Sequence, residues 1–256
     1  MNILVACEES QRVCTAFREK GHNAFSCDIL PCSGGHPEWH IKGDVLEILS
    51  PTPYEECCID PINFETMDGK THIIDRKWDM IIAFPPCTHL AVSGARHFEK
   101  KRADGRQREA IEFFCQFLNA DCDRIVIENP VGIISGDYIP NHFPDLAEKY
   151  NLPEKYTQII QPYEYGEPYR KATGLWLKGV PALVPTNIVE VCDIRQYAIK
   201  RGKNAGKIVT FSDWINEGGK NRQTMRSKTF PGIAKALAEQ WGTYGTKPAP
   251  SGSTPC

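Results

Sequence analysis

Asn2-Ile-Leu-Val-Ala-Cys7, then Glu8-Glu-Ser10-Gln11-Arg12-Val13-Cys-Thr-Ala-Phe17-Arg-Glu-Lys20-Gly21, then Asn23-Ala-Phe-Ser-Cys-Asp28, is the stretch from which the fold class is read. The first run is short and wholly apolar, as a strand buried on both faces should be. Ser10 to Lys20 places Val13 and Phe17 at helical spacing, and Gly21 is the residue type that ends a helix. Asn23–Asp28 gives a second strand. The same alternation continues with a strand at Trp78–Phe84 (WDMIIAF), a helix at Gln107–Asn119 with Ile111, Phe114 and Leu118 apolar, and a strand at Arg124–Glu128 (RIVIE). Thr173–Lys178 (TGLWLK) reads as a strand, and Ile233–Trp241 as a final helix opened by Pro231-Gly232. Strands alternating with helices predict an α/β fold whose mostly parallel sheet has helices on both faces and ligands beyond the carboxyl ends of its strands. From Gly136 to Pro168 prolines and aromatics dominate and element boundaries are only loosely placed.

At 256 residues and 28.8 kDa there is room for one main core. Hydrophobic residues make up 41% and charged residues 24%, which argues against disordered, collagen-like and coiled-coil classes. No apolar run approaches the roughly 20 residues that span a bilayer, and Met1–Cys7 lacks a basic start and cleavage site, so a cytoplasmic chain is expected. Eleven cysteines are spread along the chain without paired C-x-x-C sets, which fits reduced core-filling thiols better than a disulfide scaffold or a zinc site. His36, His40 and His89 lack paired ligand spacing, so no metal is expected.

The formal net charge is −2, yet two stretches are locally basic. Residues 195–228 carry nine Lys or Arg, among them Lys203, Arg222 and Arg226, against Asp213 and Glu217. Arg96, Lys100, Lys101, Arg102, Arg106 and Arg108 stand against Glu99 and Asp104. Both patches suit contact with a polyanion.

Ala83-Phe-Pro85-Pro86-Cys87-Thr88-His89 puts a cysteine after two prolines at the end of an apolar strand. Such a rigid loop at the carboxyl edge of a sheet is where functional sites occur. Cys87 is a candidate nucleophile, and Glu128 in Glu128-Asn129-Pro130 holds the equivalent position as its acid or base partner. From spacing alone, an inert small residue and a capping carboxylate remain the alternative.

Read together, these motifs resemble the cytosine-5 DNA methyltransferase family from residue 1 to about 180 and again from 226 to 241, in particular its compact phage and prophage members. Asp79–Gly94 resembles the family's Pro-Cys loop, with Thr88 where Gln is usual. Glu128-Asn129-Pro130 resembles its Glu-Asn-Val motif. Tyr165-Gly166-Glu167-Pro168-Tyr169-Arg170-Lys171 resembles its Tyr-Gly-x-Pro-Gln-x-Arg-x-Arg segment, and Ser227–Gln240 its closing helix. The resemblance implies a Rossmann-like, S-adenosylmethionine-dependent methyltransferase fold and duplex DNA with a flipped cytosine as substrate. It assigns attack on C6 to Cys87, protonation at N3 to Glu128, and base positioning to Arg170 and Lys171. Glu8, Ser10, Gln11, Asp28, Asp44 and Pro85 would hold the cofactor; Arg96, Lys100, Lys101, Arg102, Arg106, Lys203, Arg222 and Arg226 would meet DNA.

Two departures stand out. The turn after the first strand lacks the family's Gly-x-Gly, and the positions of its paired arginines hold Lys171 and Thr173. The implied organisation is a catalytic core at 1–180, a small basic insertion at 181–226 in place of a target-recognition domain, a closing helix at 227–241 and a flexible tail at 242–256. The rival readings are C5 modification of a free pyrimidine nucleotide and a catalytically silent nucleic-acid-binding relative.

Overall fold

Along the first strand the side chains alternate between two cores. Ile3 and Val5 join Val13, Phe17, Leu237 and Trp241 in one buried cluster, whereas Leu4 and Ala6 join Phe25, Trp78, Ile111 and Phe114 in the other. Period-two alternation with apolar residues on both faces is what a central strand of a covered sheet requires.

The computed structural model describes residues 1–50, 53–54, 58–59, 61–192, 194–200, 202, 204–212 and 227–243. In chain order its elements are β1 (Asn2–Ala6), α1 (Arg12–Glu19), β2 (Asn23–Asp28), β3 (His40–Lys42), β4 (Pro53–Tyr54), β5 (Cys58–Ile59), β6 (Ile62–Glu65), β7 (Thr71–Ile74) and β8 (Met80–Ala83). There follow α2 (Phe98–Ala103), α3 (Arg106–Leu118), β9 (Ile125–Pro130), α4 (Tyr138–His142), α5 (Pro144–Tyr150), β10 (Gln158–Ile160), β11 (Thr173–Lys178), β12 (Ile194–Ala198), β13 (Ile208–Ser212) and α6 (Pro231–Trp241).

Seven strands form the central sheet in the order β10-β11-β9-β8-β1-β2-β3. The β1, β2, β3, β8 and β9 ladders are parallel; β11 runs antiparallel to both β9 and β10. The fold is therefore α/β with a mostly parallel sheet, and helices cover both faces: α1 and α6 on one, α3 on the other. From β1 the chain builds outward through β2 and β3, then returns to place β8 on the other flank of β1. That reversal is a topological switch point between β1 and β8, and ligands in such sheets usually sit beyond the carboxyl ends of the strands there. The loops after these two strands are Cys7–Gln11 and Phe84–Cys87.

Tertiary hydrogen bonds pin both layers. Trp78 Nε1 donates to Ile48 O at 2.7 Å and Trp241 Nε1 to Pro181 O at 3.0 Å, so each large ring is buried with its polar atom satisfied. Cys14, Cys27, Cys115 and Cys122 are buried core thiols. His40 is a core histidine, its Nδ1 2.8 Å from Ser26 Oγ and its Nε2 2.9 Å from Leu30 O.

Within the stretch expected to be an insertion, β12 and β13 form a separate antiparallel pair. Lys203, Arg222, Arg226 and the tail beyond residue 243 lie outside the described residues. Among the described residues no helix is long and apolar enough to cross a membrane.

Candidate active site

The Pro85-Pro86 pair brings the chain out of β8 along one path, since proline fixes φ and has no N–H to donate. Phe84 N donates to Ala6 O at 3.0 Å, which keeps the loop beside β1, and a 3-10 turn over Cys87–His89 follows. Pro85 is buried, Pro86 exposed and Cys87 half-buried. The next strand holds this loop in place: Asn129 Nδ2 donates to Pro85 O at 2.7 Å. Asn129 is buried, and its Oδ1 has no hydrogen-bond partner among the described residues. Beyond the turn, Ala91 and Gly132 form a bridge, and a Cβ on Gly132 would stand 2.5 Å from Leu90 O. Only glycine permits this close approach of the two loops.

Glu128 lies one residue past the last β8–β9 register pair, Ala83 with Ile127, and opposite Leu175 of β11. Glu128 is half-buried, and its carboxyl is raised above the ordinary value by loss of solvent; Lys171 and a hydrogen bond with Thr173 oppose that rise. Glu128 and Lys171 thus interact across β9 and the start of β11, and Cys87 follows β8, the strand on the other side of β9. Arg170 is exposed and its guanidinium lies 5.8 Å from the centre of the Tyr163 ring. Thr173, at an expected arginine position, is buried; its Oγ1 lies 3.1 Å from Lys171 O and within hydrogen-bond reach of Glu128.

The β1–α1 turn supplies by conformation what it lacks in glycine. Cys7 has φ 59° and Gln11 φ 57°, both in the left-handed region that side chains disfavour. Two expected cofactor ligands are engaged elsewhere, which corrects their assignment as direct contacts. Glu8 is buried and accepts from Val13 N at 2.7 Å and Cys14 N at 3.1 Å, capping α1. Gln11 is buried; its Nε2 donates to His36 O at 2.8 Å and its Oε1 accepts from His36 N at 3.1 Å. Ser10 is buried beneath Gly34, where a Cβ would stand 2.7 Å from Ser10 O. The Gly34-Gly35 pair could have signalled this close packing.

Asp28 and Asp44 do come together. Both add to the burial that pushes the half-buried Cys7 thiol well up, so the three groups share one corner at the carboxyl ends of β1 to β3. Each also has a local role: Asp28 Oδ1 accepts from Leu30 N at 2.9 Å and Asp44 Oδ1 from Leu46 N at 3.0 Å. Beside them Ile29 and Leu30 are 75% and 55% exposed, and Leu46 is exposed as well. Pro85 stands at the neighbouring β8 exit.

Burial raises the Glu8 carboxyl from 4.5 to about 7, against the two amides that favour its anion. The neutral form is therefore preferred in the folded chain. Its stabilising effect is complete below about pH 4.5 and lost as pH rises through about 7. Relative to Glu8→Gln, the parent is expected to lose up to about 3 kcal/mol between pH 4.5 and 7.5. Urea unfolding of both proteins across that range checks it; parallel pH curves would remove Glu8 as the cause.

Neither a protein-family model nor a curated protein matches this chain.

In the basic cluster after Cys87 one cation is buried and three have partners nearer the surface. Lys101 is buried with its ammonium on Thr88 O, Arg102 bonds Tyr138 Oη, Arg106 pairs with Asp104, and Arg108 holds Asp145 at 2.7 and 3.0 Å. Of the five cations of this segment expected to meet DNA, Lys101 is buried and Arg102 partly buried, while Arg96, Lys100 and Arg106 are exposed. Arg96 and Arg102 also line a surface cleft of about 580 Å³ with Val92, Phe98, Ile133 and Tyr138, next to the Cys87 turn.

Proposed function

We propose that the chain is an S-adenosylmethionine-dependent cytosine-5 methyltransferase acting on DNA. The observation that carries this reading is the placement of Cys87 and Glu128 at adjoining ends of β8 and β9, fastened by the bond from Asn129 to Pro85 O. The strand order, with its switch point between β1 and β8, supports the Rossmann-like methyltransferase form of the fold.

The residues around that switch point fit the cofactor. Left-handed residues shape the β1–α1 turn without glycine, exposed Ile29, Leu30 and Leu46 offer an apolar wall for an adenine, and Asp28 and Asp44 offer carboxylates to its sugar and amino group. S-adenosylmethionine, when bound there, supplies an electrophilic methyl group.

The chain's own residues do the rest. Carbon 5 of cytosine is a poor nucleophile, so the Cys87 thiolate adds to C6 and makes C5 enamine-like. Glu128, with its carboxyl raised by loss of solvent, donates a proton to N3 and neutralises the charge that develops as sulfur adds. Lys171 holds positive charge near that carboxylate once the proton has left. After methylation C5 loses its proton to solvent, the C6–S bond breaks to restore the thiolate, and N3 returns its proton to Glu128.

One observation favours a second substrate. Lys101 is buried on Thr88 O, and Arg106 and Arg108 are paired with Asp104 and Asp145, which leaves this segment less free positive charge for a duplex than its six cations suggest; a single nucleotide needs less. Titration calorimetry with S-adenosylmethionine, with and without duplex DNA, tests the main reading. Micromolar binding strengthened by DNA is expected; no heat in either case would overturn it, and binding indifferent to DNA but strengthened by deoxycytidine monophosphate would select the nucleotide.

A further inference from the structure

We propose that Lys101, together with Gln107, is a positioning residue that fixes the turn presenting the Cys87 thiol; this rests on reading Cys87 as the nucleophile. Lys101 is only 8% exposed. Placing an ammonium group out of water is costly, so its destination is informative. It donates to the main-chain carbonyl of Thr88, the residue after Cys87. Gly94 leaves room for it, since a Cβ there would stand 3.2 Å from Lys101 Nζ.

Gln107, fully buried on α3, repeats the arrangement one residue along: its Nε2 donates to His89 O at 3.1 Å. Its Oε1 accepts from Tyr138 Oη at 2.9 Å, and that hydroxyl in turn accepts from Arg102. The remaining carbonyls of the turn are also engaged. Cys87 O accepts from Leu90 N and Ala91 N at 3.0 and 2.9 Å, and Leu90 O accepts from Ile133 N at 3.0 Å. Four successive carbonyls, 87 to 90, are thus held by partners from the turn, α2, α3 and the segment after β9. A turn held from so many sides keeps one geometry, which is what a preorganised nucleophile needs.

The test is alkylation of Cys87 by iodoacetamide at one fixed pH, followed at the Cys87 peptide by mass spectrometry. Lys101→Met is expected to slow it about tenfold, and Lys101→Arg to restore it to within about twofold, because Arg still carries donors to Thr88 O. Alkylation of Lys101→Met at the parent rate would overturn the proposal, as would failure of Arg to restore it. Should Lys101→Met not fold, Tyr138→Phe decides, since it removes only the hydroxyl that orients Gln107. Slowing of about threefold then supports the positioning role, and an unchanged rate ends it. Alkylation needs neither DNA nor S-adenosylmethionine. A chain that shows the Lys101 effect yet never methylates any cytosine keeps the positioning role and loses the methyltransferase reading.

Discussion

Cys87→Ala is expected to abolish covalent capture of DNA containing 5-fluorocytosine in the presence of S-adenosylmethionine, and to lower methyl transfer on ordinary DNA by on the order of 10⁴-fold or more. Adding sulfur to C6 creates the carbon nucleophile, so without a thiolate the reaction loses the step that makes C5 reactive. Fluorine at C5 leaves no proton to remove after methylation; the C6–S bond cannot then break, and the adduct persists on the Cys87 peptide. The substitution removes one sulfur atom from a turn whose main-chain carbonyls are held independently by Lys101, Gln107 and Ile133. A melting temperature within about 3 °C of the parent is therefore expected. Capture of fluorinated DNA by the folded Ala variant would place the nucleophile elsewhere and leave Cys87 a structural residue.

The sheet was legible because parallel strands buried on both faces must be apolar throughout. Asn2–Ala6, Met80–Ala83 and Ile125–Ile127 could be read without knowing their partners. The C-terminal end of α1 was also legible, since Gly21 has φ 81° where only a residue free of Cβ strain sits easily. The hairpin of β6 and β7 was not recognised, although Ile62 and Phe64 point inward, Asn63 and Glu65 are exposed, and Asp68-Gly69 marks its turn. Short β3 and β10 have three residues each, too few for periodicity to speak.

At the candidate site, chemistry-bearing residues next to proline were visible and their partners were not. Pro85-Pro86-Cys87 and Glu128-Asn129-Pro130 stand out because proline marks strand exits. That Asn129 ties the two segments together, or that Thr173 reaches Glu128, depends on the β8–β9–β11 order, which no local pattern encodes. In the β1–α1 turn the missing Gly-x-Gly was visible, but that Cys7 and Gln11 adopt a left-handed conformation was not. Their strain is offset by the contacts that bury Gln11 and hold it to His36.

Glu128→Gln carries the second large effect, an expected fall in methyl transfer of about 10²- to 10⁴-fold. The variant keeps the size of the side chain and a donor for the base edge, so DNA affinity should change by less than about threefold, but an amide has no proton to give to N3. The two proteins should also differ in pH response. Loss of solvent raises the Glu128 carboxyl above the ordinary carboxylate range, with Lys171 and Thr173 partly offsetting it. The protonated, active form is therefore depleted as pH rises through that raised value, and parent activity should fall in the same direction. The Gln variant has nothing to titrate there and should lack that limb of the profile. Single-turnover rates across pH, with Thr173→Val as a companion that removes the hydrogen bond favouring the anion, separate the possibilities. Thr173→Val should move the parent's limb to higher pH, because the carboxyl then holds its proton longer. A Gln variant within about fivefold of the parent at every pH would remove Glu128 from the chemistry and leave it a partly buried carboxylate held by its strand.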